Sequence, residues 1–135
     1  MNYGLTLLVV ACGGALGAIS RFQITNWFGS WFGSGFPYAT LTVNIIGCFI
    51  MGALVSMLES GTLIAPHWRP LIGVGFLGAL TTFSTFSFDT FALFSEGFLV
   101  KAMLNVVLNL ILCMAAVSAG YYLLLSRSAW RAGSG

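Results

Sequence analysis

Residues 73–89 read GVGFLGALTTFSTFSFD and place a polar stretch inside an otherwise apolar segment. Three glycines come first, and five Ser and Thr hydroxyls then alternate with phenylalanines. Ser and Thr compete with a helix for backbone hydrogen bonds, and β-branched Thr crowds the preceding turn. In hydrocarbon, every freed polar group needs a partner inside the protein. The stretch therefore predicts a helix that is broken at membrane depth and lines a buried polar path.

The composition is that of a membrane protein. Hydrophobic residues make up 59% of the 135 positions and charged residues only 6%, against about 25% charged in soluble domains. At about 20 apolar residues per span, four helices use the whole length. We expect an all-α integral membrane protein with a single four-helix transmembrane domain over residues 1–126 and a short basic tail. The predicted spans are 5–28, 38–58, 71–94 and 99–125, and the tail is 127–135.

Each end of the chain has a feature in common with a processing segment. A secretory signal begins with a positively charged region, but no Lys or Arg precedes Arg21. We therefore expect residues 5–28 to remain as the first helix. The last four residues, AGSG, resemble an expression-vector remnant.

Small and polar residues recur at helical spacing in three spans. Gly13 and Gly17 form a small-xxx-small pattern, which predicts close approach of another helix. The second and fourth spans each place polar and small residues on one face. These two stripes are Thr40, Asn44, Gly47 and Met51, and Asn105, Asn109, Cys113, Ala116 and Gly120.

Composition and motifs argue against several function classes. No basic run or aromatic-basic patch points to nucleic acid, and no phosphate loop or set of Ser, His and acid points to an enzyme. Cys12, Cys48 and Cys113 have no metal-ligand spacing, so we expect small buried hydrophobes. The lone His67 is flanked by turn residues and an interfacial Trp.

The few charges give almost no topological bias. Four spans place Arg69, Arg127 and Arg131 on one side of the membrane, and Arg21 and Lys101 on the other. A chain with so little bias is expected to insert in both orientations. We therefore predict an antiparallel, dual-topology homodimer, since two symmetry-related copies can enclose a wet path that four helices alone can hardly enclose.

Several residues carry two interpretations from the sequence alone. Asn44 is either interhelical glue or a donor for an anion. Arg21 is either a snorkelling interfacial charge or an anion-attracting vestibule residue. Phe83 and Phe86 share a helix face and suit packing as well as function. Asp89, as a carboxylate in or near the membrane, is a functional candidate.

Three blocks identify a family resemblance. GGALGAISR at 13–21, TLTVNIIGCFIMG at 40–52 and GFLGALTTFSTFS at 75–87 resemble the Fluc, or CrcB, fluoride channels of bacteria. The third block is the most specific, and the fourth span matches more loosely. The resemblance implies a dual-topology homodimer in the bacterial inner membrane, with two pores that pass F⁻ and exclude Cl⁻.

The resemblance also implies roles for individual residues. Phe83 and Phe86 would present electropositive ring edges to the anion, and Asn44 would be the donor beside them. The other implied residues are a polar track of Thr82, Ser84, Thr85 and Asn109, a vestibule arginine at Arg21, and backbone carbonyls of Gly78 and Thr81 around a structural Na⁺ on the dimer axis. The sequence departs from the family pattern at three positions. Asp89 stands where the family tends to have Glu, Ala79 replaces the second glycine of a Gly-Gly pair, and Asn109 lies where relatives can have a hydroxyl residue.

The resulting hypothesis is passive, fluoride-selective export that lowers cytoplasmic fluoride and gives resistance. Uncharged donors suit this task, because binding must replace hydration yet still permit release. Two alternatives remain from the sequence: a proton-coupled exporter similar to the small four-helix multidrug transporters, and a structural or lipid-binding membrane subunit. The first span contains no carboxylate, which the coupled exporters require there.

Overall fold

The computed structural model describes residues 2–33, 35–62, 65 and 67–133, and for residues 126–133 it describes the backbone alone. Its elements, in chain order, are α1 (Tyr3–Phe32), α2 (Tyr38–Glu59), a π-helical segment (Arg69–Leu77), α3 (Gly78–Leu80), α4 (Phe83–Ser95) and α5 (Leu99–Gly133). Throughout these described ranges the regular structure is helical.

Four stretches among the described residues are long and apolar enough to cross a membrane. They are Tyr3–Phe32, Tyr38–Glu59, Arg69–Ser95 and Leu99–Leu125. The prediction of an all-helical, multi-pass membrane protein is thus confirmed. The helical backbone of α5 continues through residues 127–133 of the predicted tail, whereas residues 134–135, which complete the AGSG sequence, lie outside the described part of the chain.

Glycines bring α1 against the π-helical segment. A Cβ at Gly13 would meet the backbone oxygen of Leu71, and one at Gly17 would meet that of Phe76. From the other side, a Cβ at Gly75 would meet the Val10 carbonyl. The two backbones therefore touch, as the small-xxx-small pattern predicted. This contact holds the segment that leads into residues 78–82 against a 30-residue helix.

A second glycine contact joins α2 to α5. A Cβ at Gly52 would meet the Val117 carbonyl, and one at Gly120 would meet the Phe49 carbonyl. Two to three helical turns away from these glycines, Asn44 donates to Asn109 at 3.0 Å. Residue numbers increase in the same direction along both helices at these contacts, so α2 and α5 are parallel. This pair forms the most extensive helix packing in the described structure.

The polar stretch interrupts the third apolar stretch at two residues. Thr81 (φ −76°, ψ 154°) and Thr82 (φ −152°, ψ 115°) are extended, between the end of α3 and the start of α4. Their neighbours Leu77 and Leu80 are buried with Val43 of α2 in a small apolar core. The extended pair is consequently fixed at a packed position.

Candidate functional site

The side chain of Asn44 holds the extended Thr82 on both sides of its backbone. Asn44 Oδ1 accepts from the Thr82 N–H at 2.9 Å, and Asn44 Nδ2 donates to the Thr82 carbonyl at 3.3 Å. A carboxamide can do this because it carries the same donor and acceptor pair as a peptide group. Asn44 thus supplies the acceptor that the Thr82 N–H loses by leaving the helix, and it gives the Thr82 carbonyl an additional donor. One turn further along α2, Gly47 leaves the space that the Thr81 methyl group fills.

Thr82 also caps α4. Its side-chain oxygen accepts from the Thr85 N–H at 3.1 Å, as an N-cap does. The Thr82 hydroxyl donates to Thr85 Oγ1 at 3.0 Å and lies 3.1 Å from the hydroxyl oxygen of Ser84. Since Thr85 accepts this bond, its own hydroxyl hydrogen is left for a further acceptor. Ser84 and Thr85 are exposed on the chain, whereas Thr82 is buried.

The same bonds divert the usual helical donors of two carbonyls. In an α-helix, the Gly78 carbonyl would accept from the N–H of Thr82, and the Thr81 carbonyl from that of Thr85. Here the Thr82 N–H goes to Asn44 and the Thr85 N–H to the Thr82 side chain. Backbone oxygens deprived of their helical donors are the ligand type that hard cations accept. Gly78 is exposed, so its surface is open to a second molecule.

A buried relay of amides extends from Asn44 to α4. Asn44 donates to Asn109 Oδ1, Asn109 donates to Asn105 Oδ1 at 3.0 Å, and Asn105 donates to Thr90 Oγ1 at 2.9 Å. Thr90 ends the relay by donating to the Phe86 carbonyl at 2.7 Å. Asn105 is 0% exposed and Asn109 6% exposed. Every amide in the relay therefore has a partner in place of water, as burial requires.

Both hydrogens of the Asn44 amide are used in this arrangement. One reaches the Thr82 carbonyl and the other Asn109 Oδ1. In this conformation Asn44 acts as interhelical glue, and a bound anion would have to replace one of these two acceptors. The sequence placed Asn105 on a polar stripe without giving it a role, and it missed Thr90. The four-residue spacing of Asn105 and Asn109 could have indicated that the two amides interact.

Two cavities meet at Thr82. The first, which we call the arginine cavity, has about 290 Å³ and is lined by Ala18, Arg21, Phe22, Thr25, Thr40, Val43, Thr82 and Thr85. The second, the aromatic cavity, has about 260 Å³ and is lined by Asn44, Cys48, Thr81, Thr82, Phe83, Phe86, Asn109, Leu110 and Cys113. Apart from Arg21, every side chain that lines these two cavities is uncharged. Predicted site residues from all four spans are thus brought together around the extended pair.

The two phenylalanines differ sharply in exposure. Phe83 is 77% exposed and Phe86 is 8% exposed, with ring centroids 5.4 Å apart and planes tilted by 51°. The extended pair ends before Phe83, so both rings stand on regular helix and project from successive turns of α4. A tilted pair directs ring edges, which carry partial positive charge, in more than one direction. Phe86 therefore packs in the interior of the chain, whereas Phe83 lies at its surface.

Asp89 is held by α2. Its carboxylate accepts from the Thr40 hydroxyl at 2.7 Å, and Thr40 is buried. Asp89 and Thr85 also line a cavity of about 320 Å³ that reaches Glu96 near the end of α4. The sequence marked Asp89 as a candidate but gave no partner for it. The structure separates this acidic cavity from the aromatic one, since Asp89 does not line the latter.

Four membrane-capable helices and two largely uncharged cavities that share Thr82 in their lining define a multi-pass membrane protein. A family model described as CrcB-like protein, Camphor Resistance (CrcB), matches residues 8–121, which is most of the chain. The chain belongs to the CrcB family. The predicted resemblance is confirmed.

Curated relatives match over nearly their whole length. A fluoride-specific ion channel FluC of Shewanella amazonensis is 52% identical over 121 residues, which cover 90% of this chain and 97% of the relative. The protein of the same name from Photobacterium profundum is 52% identical over 116 residues and 91% of its length. That from Aliivibrio salmonicida is 49% identical over 126 residues and its full length. The region matched by the family model, residues 8–121, contains every residue of the candidate site.

Proposed function

We propose that this protein is a fluoride-selective, passive anion channel that exports F⁻ down its electrochemical gradient. The relatives at about 50% identity carry the name fluoride-specific ion channel. The observation that carries the proposal is the extended Thr81–Thr82 pair, placed between two cavities lined by hydroxyls, amides and aromatic rings. Such a lining offers donors to a small anion without a buried counter-charge that would trap it.

The polar track gives fluoride a sequence of uncharged donors. Arg21 lies at the arginine cavity and attracts the anion, and Thr85 offers its hydroxyl hydrogen there. Thr82 lines both cavities, and Ser84 follows it at the exposed surface of α4. Beyond Thr82 the ring edges of Phe83 and Phe86 replace hydroxyls, with Asn44 and Asn109 beside them. Fluoride exchanges its hydration shell for these groups in turn, without proton or nucleotide coupling.

We propose an antiparallel, dual-topology homodimer as the working assembly. Phe83 is exposed on the isolated chain although it lines the aromatic cavity. A second, inverted copy would complete the wall beside Phe83 and cover the exposed apolar surface of α4. The near-balanced charges of the helix ends support insertion in both orientations. Lipid would cover the remaining apolar faces of α1 and α5.

A structural Na⁺ fits the chemistry of the extended pair. The carbonyls of Gly78 and Thr81 would hold it, since their helical donors are used elsewhere. Oxygen ligands suit a hard cation. When bound on the dimer axis by carbonyls from both copies, Na⁺ would fix the two interrupted helices together. We place this assembly in the bacterial inner membrane, where export lowers cytoplasmic fluoride and confers fluoride resistance.

The proposal is tested by fluoride efflux from liposomes that contain the purified protein. We expect Phe83→Ile and Asn44→Ala to reduce efflux by about tenfold or more, since each removes a group at the narrow polar path. Phe32→Ile and Asn26→Ala make the same chemical changes at exposed positions of α1 outside both cavities, and they are expected to leave efflux unchanged. Undiminished efflux from the first pair would count against the assigned path.

The same preparation separates the alternatives. A proton-coupled exporter would move its substrate against a gradient when a pH difference is imposed, whereas a channel dissipates only the fluoride gradient. α1 contains no Asp or Glu to carry such coupling. A structural subunit would give no flux under either condition. Crosslinking of two chains through residues near Gly78, with tags detected on both sides of the membrane, tests the antiparallel dimer.

A further inference from the structure

Cys48 and Cys113 come together between α2 and α5. The two helices run in the same direction with a constant offset of 65 residues, since Asn44 bonds to Asn109 and Gly52 faces Val117. Cys48 lies midway between Asn44 and Gly52, and Cys113 lies midway between Asn109 and Val117. The two cysteines therefore face each other in the same register. Both cysteines line the aromatic cavity.

The expected role of these cysteines as small buried hydrophobes does not account for this pairing. Both side chains are half-buried rather than enclosed, and both line the same cavity as Asn44 and Thr82. Four residues of helix rise about 6 Å. The thiol pair therefore lies about one helical turn from the amide pair that holds Thr82. Cys12, by contrast, is exposed on α1 and does not line this cavity.

We propose that Cys48 and Cys113 form an intrachain binding site for a soft divalent metal ion that takes two thiolate ligands, and that its occupation blocks the aromatic cavity. Thiolates select soft ions over hard ones. Zinc prefers four ligands, and the described residues provide no group of three or more His, Cys, Asp or Glu around these thiols. Two sulfurs thus suit an ion that is satisfied by linear coordination, such as Hg²⁺.

Charge balance favours a divalent ion over a monovalent one at this depth. Binding releases two protons: two thiols and Hg²⁺ give a neutral bis-thiolate and two H⁺, with no change of oxidation state. A monovalent ion held by two thiolates would leave one negative charge in an apolar setting, which is costly. The neutral complex adds a heavy atom to a cavity of about 260 Å³. It would narrow the space beside Phe83 and Phe86, so the consequence for flux depends on the proposed fluoride path.

The test uses the full-length protein with Cys12→Ser, which leaves only the paired thiols, and Hg²⁺ as the probe. Bound metal is measured by mass spectrometry, and free thiols are counted after competition with a monothiol. We expect one Hg²⁺ per chain, loss of both thiols together, and no covalent dimer on a non-reducing gel. Adding Cys48→Ser or Cys113→Ser should weaken retention by roughly 10²–10⁴-fold, since the second ligand acts at high effective concentration.

Binding and flux are read separately. Two metal ions per chain, a metal-bridged dimer, or equal retention by the single-serine variants would overturn the site. If the paired protein binds one Hg²⁺ but its fluoride efflux stays at the untreated rate, the blocking consequence is wrong. We expect efflux to fall at least about tenfold and to recover after excess dithiol, with each serine variant compared against its own untreated rate. Absence of efflux from untreated protein would contradict the proposed function, whereas the binding result would stand independently.

Discussion

Replacement of Asn44 by Ala tests the physical role of the amide that holds Thr82. The change removes three hydrogen bonds, of 2.9, 3.0 and 3.3 Å, and leaves the Thr82 N–H and Asn109 Oδ1 without their partners. A buried polar group left unsatisfied costs about 1–3 kcal/mol, and an interhelical hydrogen bond in a membrane averages about 0.6 kcal/mol. The larger figure applies to Thr82 N–H, because the extended backbone at Thr81 offers it no helical carbonyl. We expect Asn44→Ala to lower the free energy of unfolding by about 2–4 kcal/mol in total.

The assay is denaturant-induced unfolding in detergent or bilayer, followed by tryptophan fluorescence. Asn26→Ala is the matched control, since Asn26 is exposed on α1. Amide hydrogen exchange gives a local reading: a loss of 2 kcal/mol corresponds to roughly 30-fold faster exchange at Thr82. If Asn44→Ala is no less stable than Asn26→Ala and Thr82 exchanges at its original rate, Asn44 does not hold the extended pair.

Three further predictions concern the cap, the helix contact and the vestibule. Thr82→Ala removes the side-chain acceptor for the Thr85 N–H and should cost about 1 kcal/mol of unfolding free energy, whereas Thr82→Ser keeps it; equal losses in the two variants would argue against the cap. Gly120→Ala places a methyl group against a backbone carbonyl and should destabilise by about 1–3 kcal/mol. Gly29→Ala, in open space, should instead stabilise by about 0.5–1 kcal/mol, so the same sign at both glycines would contradict the close helix contact. Arg21→Gln should lower fluoride efflux roughly 2–10-fold at low ionic strength, and the difference should shrink with added inert salt.

The helices were accessible from the sequence because apolar length and sparse charge determine them. The four predicted spans overlap the four membrane-capable helices, which extend a few residues further at most ends. The glycine contact of α1 was also predicted, because small residues at four-residue spacing let another helix approach closely. The π hydrogen bonding of Arg69–Leu77 was not predicted. Its glycines and proline suit several backbone geometries, so pattern alone does not select one.

The sequence predicted an interruption somewhere within residues 73–89 but could not select individual residues. In the structure, Thr81 and Thr82 are the extended residues of this stretch. Ser87 and Thr90 instead donate to the carbonyl four residues earlier, at 2.9 and 2.7 Å, and remain helical. A hydroxyl can make either kind of bond. Which one it makes depends on tertiary partners such as Asn44.

The partners of the polar side chains required the structure. The sequence ranked Asn44 as glue or as an anion donor, and the fold shows both of its amide hydrogens engaged within the chain. Similarly, the hydrogen bond between Thr40 and Asp89 joins residues 49 positions apart, and helical periodicity does not predict such a long-range pair. The residue types could be chosen from the sequence. Their pairing could not, since it follows from how α2, α4 and α5 pack.

The most direct test of the central claim is the reversal potential of current through the purified protein in a planar bilayer, with a tenfold fluoride gradient and equal chloride on both sides. A passive fluoride-selective channel predicts a reversal potential close to the fluoride equilibrium value, about 59 mV in magnitude for a monovalent ion, and unchanged by an imposed pH difference. A reversal potential near zero, or one that follows the proton gradient, would contradict the assignment of a selective fluoride path to the cavities that meet at Thr82.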